Sequence, residues 1–140
     1  MAARVLDAWA LMAFLKDEPA AEEVERLLQR ARDEKVRLLL CVVNWGEVYC
    51  GLTRAGGEQV AEQTMTQLAT LPIELVPVGD DLHLVREAAK LKAKYRMSYA
   101  DCFAAALAKI KNAELVTGDP EFKQLQGDVR VSWLTVKEER

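Results

Sequence analysis

The chain has 140 residues, 51% of them hydrophobic and 29% charged, a composition that suits one domain with a hydrophobic core and excludes a disordered or fibrous polymer. Its net charge of −3 excludes a globally basic polyanion binder, so contact with nucleic acid needs a local patch of Lys and Arg. The longest apolar run, Ala8 to Leu15, is far below the ~18–20 residues that cross a bilayer, and no membrane span is expected.

Residues 3–6 (ARVL) form a short apolar strand ending at Asp7, after which AWALMAFL switches to helix-forming residues until Pro19. Asp7 interrupts the basic-to-apolar transition of a signal peptide, so the N-terminus reads as mature structure. Val24, Leu27, Leu28 and Ala31 recur at helical spacing within 20–33, giving a second, amphipathic helix. Residues 37–43 (RLLLCVV) are apolar without alternation, the pattern of a strand covered on both faces. Asn44 reads as the cap of a helix reaching about Arg54, which Gly56-Gly57 ends. Another helix spans about 58–71, and 73–78 returns as a strand.

Asp80 and Asp81 open a long helix that stops at Met97. Ser98 opens the next, with Tyr99, Cys102, Phe103, Ala106, Leu107 and Ile110 as its apolar stripe and Asn112 as its C-cap. Residues 114–117 (ELVT) make a fourth strand, Asp119-Pro120 starts a brief helix, and 129–134 alternates into a last strand. Cys41, Cys50 and Cys102 lack C-x-x-C spacing and sit in apolar stretches, which predicts small buried thiols and a reducing cytoplasm.

Strands alternating with helices predict an α/β domain over 1–140 with a mainly parallel sheet of about five strands. Ligands of such sheets bind beyond the carboxyl ends of the strands. Four acids, Asp7, Glu47, Asp101 and Asp119, fall where a strand stops or a helix starts. Each has a capping role open to it: Asp7 as an N-cap, Glu47 and Asp101 three residues after Asn44 and Ser98, and Asp119 before a proline at the first helical position. Asp101 also heads a stripe of Ala104, Ala105 and Ala108 that can pack close to other backbone, where an unpaired acid is costly.

If the fold gathers the four on one edge, their mutual repulsion calls for a hard cation such as Mg²⁺ or Mn²⁺. Thr117 and Ser98 stand beside them as supporting hydroxyls. Asp17, Glu18, Asp33, Asp80, Asp81 and Asp128 read as solvated charges.

Other chemistries lack residues. His83 is the only histidine, which excludes a multi-histidine zinc site, and there is no Gly-rich phosphate loop. The tryptophans Trp9, Trp45 and Trp133 read as core or interface residues. Two basic stretches, Arg26 to Arg37 and Lys90 to Arg96, read first as solvated helix faces and second as nucleic-acid patches.

The segments RVLDAW, VVNWGEVYCGL, SYADCFAAALA and LVTGDPEF, in this order and spacing, resemble the PIN-domain family, and within it the VapC-type toxin ribonucleases of toxin–antitoxin pairs. The resemblance implies a three-layer α/β/α fold and a Mg²⁺- or Mn²⁺-dependent endoribonuclease whose acidic quartet is Asp7, Glu47, Asp101 and Asp119. It also implies an RNA substrate cut by metal-activated water, a homodimer and a cognate antitoxin. Trp9 departs from the family, which usually has a hydroxyl or amide residue there. The rival expectations are a catalytically weakened PIN-fold binding or dimerisation module, and an unrelated phosphoryl-accepting α/β protein.

Overall fold

The computed structural model describes residues 1–125 and 127–136 of the chain. Among the described residues, twelve elements follow one another as β1 (Ala3–Leu6), α1 (Ala8–Leu15), α2 (Ala21–Arg32), β2 (Arg37–Cys41), α3 (Val42–Gly56), α4 (Glu58–Leu68), β3 (Ile73–Val76), α5 (His83–Lys94), α6 (Tyr99–Ile110), β4 (Glu114–Thr117), a 3-10 helix (Pro120–Leu125) and β5 (Val131–Trp133). The five strands form one sheet in the order β3-β2-β1-β4-β5, every neighbouring pair parallel. The residue 140 end expected for the domain lies outside the described residues.

Both faces of the sheet are covered, which accounts for apolar strands without alternation. Val5, Leu39, Cys41 and Leu115 enter one core with Cys102, Ala104 to Ala108 and the buried residues of α5 and the 3-10 helix. Leu6, Leu38, Leu40 and Val116 enter the other, with α1, α2, α3 and α4. Successive strand residues thus serve opposite layers, and the three-layer α/β/α arrangement follows. Alanines along α6 let that helix lie close to β1, β2 and β4.

Several boundaries differ from the sequence reading. The strand expected over 37–43 ends at Cys41, and the helix begins at Val42 with Cys41 as its cap residue. Val42 is exposed, which a strand covered on both faces does not allow. The expected helix over 58–71 ends at Leu68, and the strand expected over 73–78 at Val76. Leu82, in the left-handed region at φ 66°, delays α5 to His83, and α5 stops at Lys94 rather than Met97. The last strand is shorter than 129–134. The C-cap of α6 is Lys111 rather than Asn112; Asn112 follows it at φ 50°, a conformation its short polar side chain tolerates. Cys50 is exposed, unlike Cys41 and Cys102.

Candidate active site

From β1 the chain steps outward through β2 to β3, then returns to place β4 on the other side of β1. The β1/β4 junction is therefore the topological switch point, where the connections diverge and leave a crevice beyond the strand ends. Asp7 is the first residue after β1, and Asp119 lies two residues after β4. Glu47 arrives from α3 and Asp101 from the first turn of α6, two helices that pack together.

Asp7 is 1% exposed, and both of its oxygens are engaged. Oδ1 accepts from the Ala10 amide at 2.9 Å, the N-cap bond of α1, and Oδ2 accepts from the Thr117 hydroxyl at 2.5 Å. Burial nonetheless pushes its pKa up to about 7, against the lowering effect of those two bonds and with Asp101 and Asp119 adding repulsion. Capping and a place in the acidic set coexist in this one residue.

Asp101, Asp119 and Glu121 each offer a carboxylate oxygen, and these oxygens all lie within 4.8 Å of one another. Asp101 is half-buried and pushed up to about 6, first by desolvation and then by Glu47, Asp119 and Glu121, while a side-chain hydrogen bond with Ser98 works the other way. Ser98 is the N-cap of α6: its Oγ accepts from the Asp101 amide at 3.1 Å. Asp119 starts the 3-10 helix by accepting from the Glu121 amide at 2.9 Å. Glu121 was missed in the sequence; its only signal is its place two residues after Asp119.

Glu47 stands outside that triplet but within its field, its pKa raised by desolvation first and then by Asp119. Asn44 is not the cap of α3. It lies inside the helix, fully buried, and its Nδ2 donates to Glu47 Oε1 at 2.8 Å and to the Ala100 carbonyl at 3.0 Å. With no reciprocal capping box, Glu47 is held from the side and α3 is tied to the start of α6. Flipping the amide would set its oxygen against two acceptors, so this orientation stands although Oδ1 has no partner among the described residues.

Thr117 joins the two strand ends. Its buried hydroxyl donates to Asp7 and accepts from the Asp119 amide at 3.0 Å. Trp9 packs its ring over Gly118: a Cβ there would lie 2.2 Å from Cη2, 2.5 Å from Cζ3 and 2.6 Å from Cζ2. These similar distances put the glycine over the ring face rather than beyond its edge. Trp9 takes the space of a polar side chain without leaving Asp7 unsupported, because Thr117 bonds the carboxylate.

Crowded carboxylates, with Asp7, Glu47 and Asp101 raised above their ordinary pKa values, fit a hard divalent ion, which takes oxygen ligands and supplies positive charge to the cluster. Of the residues named as solvated, Asp128 departs from that reading. It accepts from the Tyr95 hydroxyl and pairs with Lys94 at 2.9 Å.

Fold and site together define a parallel α/β/α domain with a carboxylate cluster at its switch point. The PIN domain model matches residues 4–128, and the chain belongs to that family. VapC ribonuclease Mb0640 of Mycobacterium bovis and ribonuclease VapC30 of Mycobacterium tuberculosis are each 29% identical over 124 residues, covering 85% of this chain and 92% of theirs. Among solved structures, VapBC2 of Rickettsia felis bound to a promoter DNA fragment superposes with a TM-score of 0.71 at 14% identity, covering 95% of this chain and 99% of that one. VapC20 of Mycobacterium tuberculosis, described as a sarcin-ricin loop cleaving toxin, gives 0.68 at 19% identity, covering 91% and 98%.

Proposed function

We propose that this chain is a Mg²⁺- or Mn²⁺-dependent endoribonuclease acting as the toxin of a toxin–antitoxin pair. The observation that carries the reading is the convergence of Asp7, Glu47, Asp101 and Asp119 at the switch point, with Asp7 and Asp101 pushed up to about 7 and about 6. The names of the curated relatives, both VapC ribonucleases, support it.

Asp101, Asp119 and Glu121 would hold the ion, with Asp7 and Glu47 closing the set from the two flanking elements. When bound, the ion supplies positive charge to the scissile phosphate and lowers the pKa of the attacking water. The residues of the chain do the rest. Thr117 fixes the rotamer of Asp7 and the backbone of Asp119 together, Asn44 aims Glu47, and Ser98 sets the first turn that presents Asp101. A protein nucleophile is unnecessary, in keeping with a site built without histidine.

The neighbouring VapBC complexes support an antitoxin as partner. A homodimer is part of the same reading, and light scattering tests it. The ribonuclease reading is tested by incubating the protein with structured RNA in Mg²⁺ or Mn²⁺. We expect Asp101→Asn and Asp119→Asn to lower cleavage by about a hundredfold or more and to abolish the Mn²⁺ binding heat. Cleavage that persists unchanged in Asp101→Asn, or in excess chelator, sinks it. A protein that binds no Mn²⁺ and cuts no RNA would be the weakened module instead.

A further inference from the structure

A net charge of −3 means that any surface for RNA must be made locally, and a basic cleft lies directly beside the acids. It measures about 690 Å³, runs along the turn between α5 and α6, and is lined by residues including Lys92, Lys94, Tyr95, Arg96, Ser98 and Glu121. Two of these belong to the site: Ser98 caps the helix carrying Asp101, and Glu121 completes the carboxylate triplet. The cleft and the acids are continuous.

The cations of this stretch are not equivalent. Lys90 pairs with Glu87 at 3.0 Å. Lys92 Nζ donates to the Met97 carbonyl at 2.6 Å, and Lys94 pairs with Asp128 while lying 5.2 Å from the centre of the Tyr95 ring. Arg96 is exposed, and its guanidinium meets no acceptor among the described residues. Its backbone, by contrast, is clamped. Gln124 Oε1 accepts from the Arg96 amide at 3.2 Å, and Gln124 Nε2 donates to the Arg96 carbonyl at 3.1 Å. Gln124 shares its 3-10 helix with Glu121, so the clamp ties Arg96 to the acid-bearing segment and leaves its charged end unspent.

We propose that Arg96 and this cleft form a subsite for the sugar–phosphate backbone flanking the scissile bond of a single-stranded RNA. The inference rests on the ribonuclease reading. A strand whose reacting phosphate sits at the carboxylates must carry its next phosphates along a neighbouring surface, and this one is basic. A guanidinium presents paired donors in a planar fork that matches two phosphate oxygens, and holding its main chain in advance lowers the ordering cost of binding.

The test measures the affinity of a labelled single-stranded RNA at several KCl concentrations, in an Asp101→Asn background that keeps the RNA intact. We expect Arg96→Ala to weaken binding about tenfold and to flatten the slope of log K against log salt by about 0.7. Arg96→Lys should recover part of the loss, and Lys90→Ala should change neither quantity. With the acids intact, Arg96→Ala should raise KM while kcat and the Mn²⁺ titration stay as they were. Unchanged affinity and slope in Arg96→Ala overturn the subsite. So does a loss confined to binding of poly-glutamate, which would assign the cleft to an acidic peptide. Arg96-dependent RNA binding by a native chain that cuts nothing would sink the ribonuclease reading and keep the subsite; cleavage with a KM indifferent to Arg96 would sink the subsite alone.

Discussion

The two halves of the acidic site solve the same electrostatic problem differently. Asp7 is removed from solvent, with each oxygen bonded by a neighbour inside the fold. Asp101, Asp119 and Glu121 stay at the surface or half-buried, and their oxygens face one another. The deep half is therefore rigid and costly in its charged form, whereas the open half is adaptable and free to meet a ligand. A site of this kind separates fixing the geometry from binding, and the Thr117 hydroxyl, bonded to both halves, is the joint between them.

The largest expected effect breaks the deep half. Because Asp7 is raised from 3.8 to about 7, the folded metal-free protein binds a proton there more readily than the unfolded chain. The associated stability is present below about pH 4, is lost as pH rises toward 7, and is flat above. The shift corresponds to roughly 4 kcal/mol when fully charged. In chelator at pH 8, Asp7→Asn should therefore raise the melting temperature by several degrees, and Asp101→Asn should raise it less; in Mn²⁺, Asp7→Asn should abolish cleavage. Melting curves from pH 4 to 8 check the sign: Mn²⁺ should stabilise the native protein more at pH 8 than at pH 5. A destabilised Asp7→Asn at pH 8 would contradict the account.

A smaller effect probes the contact at the lip of the crevice. Gly118→Ala drives a Cβ into the Trp9 ring and should cost about 1–3 kcal/mol. Pairing it with Trp9→Ala should recover much of that loss, because removing the ring removes the clash. Additive losses in urea melts would show that the ring does not lie where the structure has it.

The smallest prediction sharpens the open half. Ser98→Ala removes the α6 cap and should cost about 1 kcal/mol, together with a modest loss of cleavage as the first turn carrying Asp101 frays. A variant with unchanged stability but lost activity would instead give Ser98 a direct part in substrate binding.

Where local chemistry is self-sufficient, sequence and structure agree. The strand at 3–6, the strand at 114–117, the Ser98 cap, the break after Gly56 and the Asp119 start all depend on residues a few positions apart. Agreement ends where a partner is remote. Asn44 has the right offset from Glu47 for a capping box, but a bond to Ala100, 56 positions away, holds it inside the helix. The exposure of Cys50, the pairing of Asp128 with Lys94 and Tyr95, and the fit of Trp9 on Gly118 are likewise contacts between distant elements.

The sequence by itself determined the layered α/β class and the four junction acids, since hydrophobic periodicity and cap chemistry act over one or two turns. Only the tertiary structure decided that β4 lies beside β1, and that order places Asp7 and Asp119 across one crevice. It also decided that Glu121 lies with Asp101 and Asp119, that burial raises the pKa of Asp7, and that Arg96 lines the cleft beside the site while its lysine neighbours are engaged. Desolvation and Coulomb repulsion depend on distance and burial in space, and neither quantity is set by separation along the chain.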